Sequence, residues 1–126
     1  QSDLGLILLA AAEGNLAETE VEFKQVHAAT VVLASEGYPG NVASGRIIKG
    51  WETEIDEGQV RGFVHLAGAM KDESGKLIST GGRVLSATGI APSLSEALEA
   101  SYQIIEEISL EGSHFRKDIG FRAIPR

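Results

Sequence analysis

The 126-residue chain contains no cysteine. That absence removes disulfides, thiolate zinc sites and cysteine nucleophiles together, and it leaves redox compartment unreadable. Long hydrophobic runs are missing too. The apolar stretch from Leu4 to Ala12 is far too short to span a bilayer, and no basic segment precedes it as in a signal peptide. Positive charge is in the minority: eleven Lys and Arg against eighteen Asp and Glu, a net charge of −7. An acidic surface argues against nucleic acid or an anionic membrane as the main partner, but it leaves room for a local pocket that takes a small anion. There is no P-loop, no Gly-x-Ser-x-Gly elbow, no His-Glu-x-x-His and no carboxylate pair in an apolar setting. His27 and His65 stand alone, without a second ligand at metal-binding spacing, and read as structural.

What is present suits one domain with its own core. The chain begins at Gln1 and reads as a piece of something longer. Ser2 and Asp3 cap an expected helix from Leu4 to Ala12, stopped by Gly14 and Asn15. That helix is apolar nearly all round, so it should pack against more protein than its length suggests. From Val26 to Ala34 the run is β-branched and nearly continuous, which predicts a strand buried on both faces. Ser35 to Asn41 is turn-rich: either a plain connection or a shaped loop lining a cleft. Short strands are expected at Arg46–Ile48 and Gln59–Ala67, then a charged hairpin turn over Lys71–Gly75. Ser93 and Glu96 form a capping box for the strongest helix, with Leu94, Leu98, Tyr102, Ile105 and Ile108 on its buried stripe and Gly112 as its stop. Arg116 and Asp118 are placed to form an ion pair. The fold class is α+β, with no internal repeat or linker.

The stretch with chemical character is Gly75 to Leu85, a Gly-Gly pair between two β-prone runs. Gly81 and Gly82 permit φ > 0 and close approach of a ligand to the backbone. Arg83 follows, and a guanidinium beside bare amides suits a phosphate or carboxylate. Lys76 lies seven positions earlier, so an unbroken strand would put it on the opposite face from Arg83. The expectation is that the glycine pair turns the chain, with at least one glycine at φ > 0, and brings both cations to one side. The alternative is a hairpin or bulge with two solvated cations. No residue is expected to be catalytic or to ligate a metal.

The order of motifs carries a resemblance. Asp3-Leu4 through Gly14-Asn15-Leu16, then Val31–Gly40, then Thr80-Gly81-Gly82-Arg83-Val84-Leu85, then Phe115–Ala123 together resemble the C-terminal part of the phosphoribosylamine–glycine ligase family, over essentially the whole chain. His65 stands one place earlier than the family's histidine, and Ala69 replaces its threonine. The resemblance implies a mainly antiparallel sheet with flanking helices, similar to the C-terminal domain of biotin carboxylase. It implies that residues 1–18 are the terminal helix of an ATP-grasp region and 19–126 the ligase C-terminal domain. It implies an ATP-dependent carbon–nitrogen ligase of purine biosynthesis, cytoplasmic, joining glycine to 5-phosphoribosylamine. ATP and Mg²⁺ would serve the full-length enzyme through regions outside this chain, and the isolated chain would bind neither and be inactive. Lys76, Gly81, Gly82 and Arg83 would hold the substrate phosphate. The rival reading is a non-catalytic docking or assembly module derived from the same domain.

Overall fold

A computed structural model describes residues 1–124. The elements are α1 (Leu4–Glu13), a 3₁₀ turn (Leu16–Glu18), β1 (His27–Ala34), β2 (Ile55–Glu57), β3 (Val60–Leu66), β4 (Ala69–Lys71), β5 (Leu77–Ser79), β6 (Arg83–Ala91) and α2 (Leu94–Glu107). Four strands make an antiparallel sheet in the order β1-β6-β3-β2, and β4 and β5 form a separate hairpin. The expected α+β class is what the chain adopts.

Helix α2 forms where the capping box predicts. The Ser93 hydroxyl accepts from the Glu96 amide, and the Glu96 carboxylate accepts from the Ser93 amide. It lies across one face of the sheet and sets Ile104 and Ile105 against Val31, Leu33, Leu85 and Ala87, all essentially inaccessible to solvent. Ala97, Ser101 and Ile104 also turn inward, beyond the stripe expected from spacing. The helix ends at Glu107, five residues short of Gly112. Ile108 is extended because Ser109 pairs with Lys49 through two backbone hydrogen bonds of 3.0 Å.

The closest helix–sheet approach is at Gly89. The Ser101 hydroxyl accepts from the Gly89 amide (2.9 Å) and lies 2.8 and 2.9 Å from the carbonyls of Ala29 and Ala97, between which its one proton is shared. One buried serine thus ties α2 to β1 and β6 without an unsatisfied polar group.

Strand β1 is not buried on both faces. Its residues alternate: Ala29, Val31 and Leu33 face α2, while Thr30 and Val32 lie exposed on the other side. No second layer covers that face among the described residues. Thr30 instead shares a 2.9 Å hydroxyl–hydroxyl bond with Thr88 across to β6. The expected strand at Arg46–Ile48 is reduced to single bridges, Ile47 to Ile78 and Lys49 to Ser109. Helix α1 is capped as expected, with Asp3 accepting from the Leu6 amide and Gly14 closing it at φ 80°. Its leucines find no cover among the described residues: Leu4, Leu6, Leu8 and Leu9 are 52–66% exposed.

Candidate functional site

The open face of the sheet ends in a groove of about 620 Å³ lined by Val32, Tyr38, Gly68, Gly82, Arg83 and Ser86, with Ala67 and Leu85. Strand geometry alone would not send Arg83 there. Residues 85, 87, 89 and 91 of β6 all face α2, so position 83 would face inward too. The register shifts instead. Leu33 pairs with Leu85, but Ala34 pairs with Arg83, and Val84 is the extra residue of a β-bulge. A bulge changes the side-chain parity of its strand. Val84 and Leu85 are therefore both buried, and Arg83 turns out to solvent.

The parity change expected of Gly81-Gly82 is thus made two residues later. Neither glycine has φ > 0, which corrects the expectation of a left-handed turn. For Gly82 the lack of a side chain has a steric cause. A Cβ on Gly82 would stand 2.5 Å from Cδ2 of Tyr38 and 3.4 Å from Cγ1 of Val42. Gly81 faces Gly68, on which a Cβ would stand 2.7 Å from the Arg83 carbonyl oxygen and 3.0 Å from Gly81 Cα. The glycines let three backbone segments and one tyrosine ring converge.

Ser35, buried at the end of β1, holds the pair. Its amide donates to the Gly82 carbonyl and its hydroxyl to the Gly81 carbonyl, each at 2.9 Å. In a trans peptide the N–H points opposite to the C=O, so fixing the Gly81 carbonyl on Ser35 turns the Gly82 amide away from it. Among the described residues, the amides of Gly81 and Gly82 donate to no protein acceptor, and the Arg83 guanidinium has neither a hydrogen bond nor an ion pair. Three unpaired donor groups on successive residues have the chemistry that suits an oxyanion.

Lys76 is elsewhere. It lines a second groove with Lys49, Trp51 and Lys71. The chain leaves β5 for a different sheet when it enters β6, so the two cations stand over different grooves. The loop after β1 does line a cleft, through Tyr38, and it is braced from behind. Arg46 pairs with Glu36 and donates to the Glu111 carbonyl at 2.7 Å. Ser35 and Gly68 carry no local signal for their roles, since each acts on residues distant in the chain.

The other candidates are structural. His65 is exposed and packs edge-on against Phe63, with ring centroids 5.0 Å apart. The Tyr102 hydroxyl donates to the Arg116 carbonyl and accepts from the Ile119 amide. Arg116 and Asp118 pair in a fork (2.8 and 2.7 Å), whose hydrogen bonds hold the Asp118 carboxyl below the usual carboxylate range. The described residues contain no group of three or more His, Cys, Asp or Glu side chains placed to hold a metal ion.

Comparison with known proteins matches residues 28–122 to the family described as phosphoribosylglycinamide synthetase, C domain. The chain is 44% identical over 124 residues to a phosphoribosylamine–glycine ligase of Caulobacter vibrioides, covering 98% of this chain and 28% of the relative. It is 40% identical to a chloroplastic phosphoribosylamine–glycine ligase of Arabidopsis thaliana, covering 98% of this chain and 23% of that protein. A solved structure of the phosphoribosylamine–glycine ligase of Thermotoga maritima superposes with a TM-score of 0.66 at 30% identity, covering 89% of this chain and 27% of that one. The chain spans about a quarter of the length of these relatives.

Proposed function

The chain belongs to the phosphoribosylglycinamide synthetase C-domain family, and from that premise we propose that it forms the ribose-phosphate side of the cleft in a longer ATP-dependent carbon–nitrogen ligase. The reaction proposed for the longer protein joins glycine to 5-phosphoribosylamine, giving glycinamide ribonucleotide, ADP and phosphate, as a step of purine biosynthesis. The observation that supports this reading is the unpaired Arg83 guanidinium in an open groove that Gly82 also lines, with the Gly82 amide and that of the adjacent Gly81 unpaired among the described residues. The substrate's phosphate is assigned to these donors. Lys76, expected from the resemblance to share that phosphate, lines the other groove, and the proposal therefore rests on Arg83 and the two glycines.

ATP and Mg²⁺ are proposed to serve the longer protein through its regions outside residues 1–126, in keeping with the quarter of its relatives' length that this chain spans. Residues 1–18 are proposed to close the ATP-grasp region and residues 19–126 to form the C-terminal domain. The exposed leucines of α1 favour such a contact. The chain by itself is expected to be inactive. A cytoplasmic location is part of the same proposal. No helix among the described residues is long and apolar enough to cross a membrane.

The test is steady-state kinetics of the longer ligase carrying Arg83→Ala. Loss of one charge-assisted contact of roughly 1.5–3 kcal/mol corresponds to about ten- to a hundred-fold weaker binding. The increase is expected in KM for phosphoribosylamine, with KM for ATP unchanged. An unchanged KM for phosphoribosylamine in the folded variant refutes the phosphate role.

A further inference from the structure

The groove that holds Lys76 has a character of its own. It shares no lining residue with the Arg83 groove. We propose that it is a binding site for a small molecule of the nucleoside-phosphate class, with the base laid on Trp51 and the phosphate held by Lys49, Lys71 and Lys76.

Charge is the first argument. The chain is acidic, yet three of its five lysines line this one groove. They come from three places: the segment after Ile48, the end of β4 and the start of β5. The hairpin brings them together, anchored by the Ile48 amide donating to the Leu77 carbonyl at 2.9 Å. None of the three ammonium groups has an ion-pair partner among the described residues. Glu52 is the one carboxylate lining the groove. Asp72 is engaged inside the hairpin turn, where its Oδ1 accepts from the Ser74 amide, the Ser74 hydroxyl and the Lys76 amide. Glu73 lies beside it in the turn, exposed. Clustered lysines in a concavity act as point charges for a phosphate.

The second argument is the ring. Trp51 is half-buried, packs against the main core cluster, and still lines the groove. An indole backed by core is a fixed platform for a planar base, and stacking on it is tolerant of base identity. The volume, about 540 Å³, lies within the range of small-molecule sites.

Trp51 is the chain's single tryptophan, so its fluorescence reports on this groove alone. The experiment titrates the 126-residue chain with AMP, adenosine and inorganic phosphate separately, excited at the red edge of the indole band. AMP is expected to give saturable quenching, and adenosine or phosphate alone to bind about tenfold weaker or worse. Replacing Lys49, Lys71 and Lys76 together by glutamine should weaken AMP by at least about tenfold, while Lys24→Gln, an exposed lysine outside the groove, should not. These lysines are exposed, so far-UV circular dichroism should show an intact fold. No saturable response to AMP, equal binding of adenosine, or equal loss in Lys24→Gln each overturns the proposal.

Discussion

Replacing Gly89 by alanine should be among the most damaging single-methyl additions in this chain. A Cβ there would fall well inside van der Waals contact of the Ala97 carbonyl oxygen, with Ala97 C and Ala100 Cβ each at 3.0 Å. Both Ala97 neighbours are helix backbone, so no side chain can swing away. Ordinary C···O contacts close at about 3.3 Å, and α2 must lift from β6 by roughly an ångström. That displacement strains the Ser101 node, whose contacts are 2.8–2.9 Å, and loosens Ile104 and Ile105 on the sheet. Overpacking costs about 1–3 kcal/mol, and a compromised buried hydrogen bond adds about 1. Gly89 has no positive φ, so alanine regains about 0.4–1 kcal/mol by restricting the unfolded chain. The net expectation is about 2–3 kcal/mol. Urea denaturation of the chain, followed by far-UV circular dichroism, reads it: at about 1–3 kcal/mol per molar, the midpoint should fall by roughly 0.7–3 M with the slope unchanged. Gly81→Ala is the control. Its Cβ would meet Gly68 Cα at an ordinary 3.5 Å, and its cost should be within about 0.5 kcal/mol. If Gly89→Ala is as mild as Gly81→Ala, the close approach of helix and strand does not constrain this fold.

Ser35→Ala removes the hydroxyl partner of the buried-side Gly81 carbonyl and should cost about 1–3 kcal/mol in a thermal or urea melt; a change under about 0.5 kcal/mol would mean that this bond does not hold the glycine pair. Gly82→Ala should cost about 1 kcal/mol by pushing the half-exposed Tyr38 ring aside, and the cost should vanish in a Tyr38→Ala background; equal costs in both backgrounds would refute the ring contact. The Asp72 carboxyl is held below the usual carboxylate range, chiefly by the Ser74 hydroxyl and then by the Lys76 amide. Because its folded value is depressed, its support of the hairpin is complete above the unfolded value and is lost as pH falls through the folded one. NMR titration should therefore place the Asp72 midpoint below that of an aspartate in an unfolded peptide, with amide exchange at Ser74 and Lys76 quickening as it protonates; a midpoint at or above the peptide value contradicts the turn geometry.

Some features of this protein are decided within a few residues and are legible in the sequence. The capping box at Ser93 and Glu96, the αL stop at Gly14, the Asp72–Gly75 turn and the strands β1, β3 and β6 all follow from bonds or periodicities that close locally. The Gly81-Gly82-Arg83 stretch carries, by residue type alone, the donors proposed for an anion, and the turn-rich loop at Tyr38 is legible as a candidate cleft wall. Other features depend on which segments meet. Strand β1 has a bare face because α2 is the only layer laid on the sheet among the described residues, and a run of apolar residues cannot count its neighbours. Gly82 is small because the Tyr38 ring approaches it, and Gly68 because Gly81 and the Arg83 carbonyl do, and not for backbone torsion. Arg83 reaches the groove through a bulge at Val84, a shift of register between strands whose sequence positions lie some fifty residues apart. Lys76 joins Lys49 and Lys71 because β5 pairs with β4, not with β6. Spacing along a chain sets which face a side chain takes within one strand; which strand it faces, and what it meets there, is set by packing between distant segments.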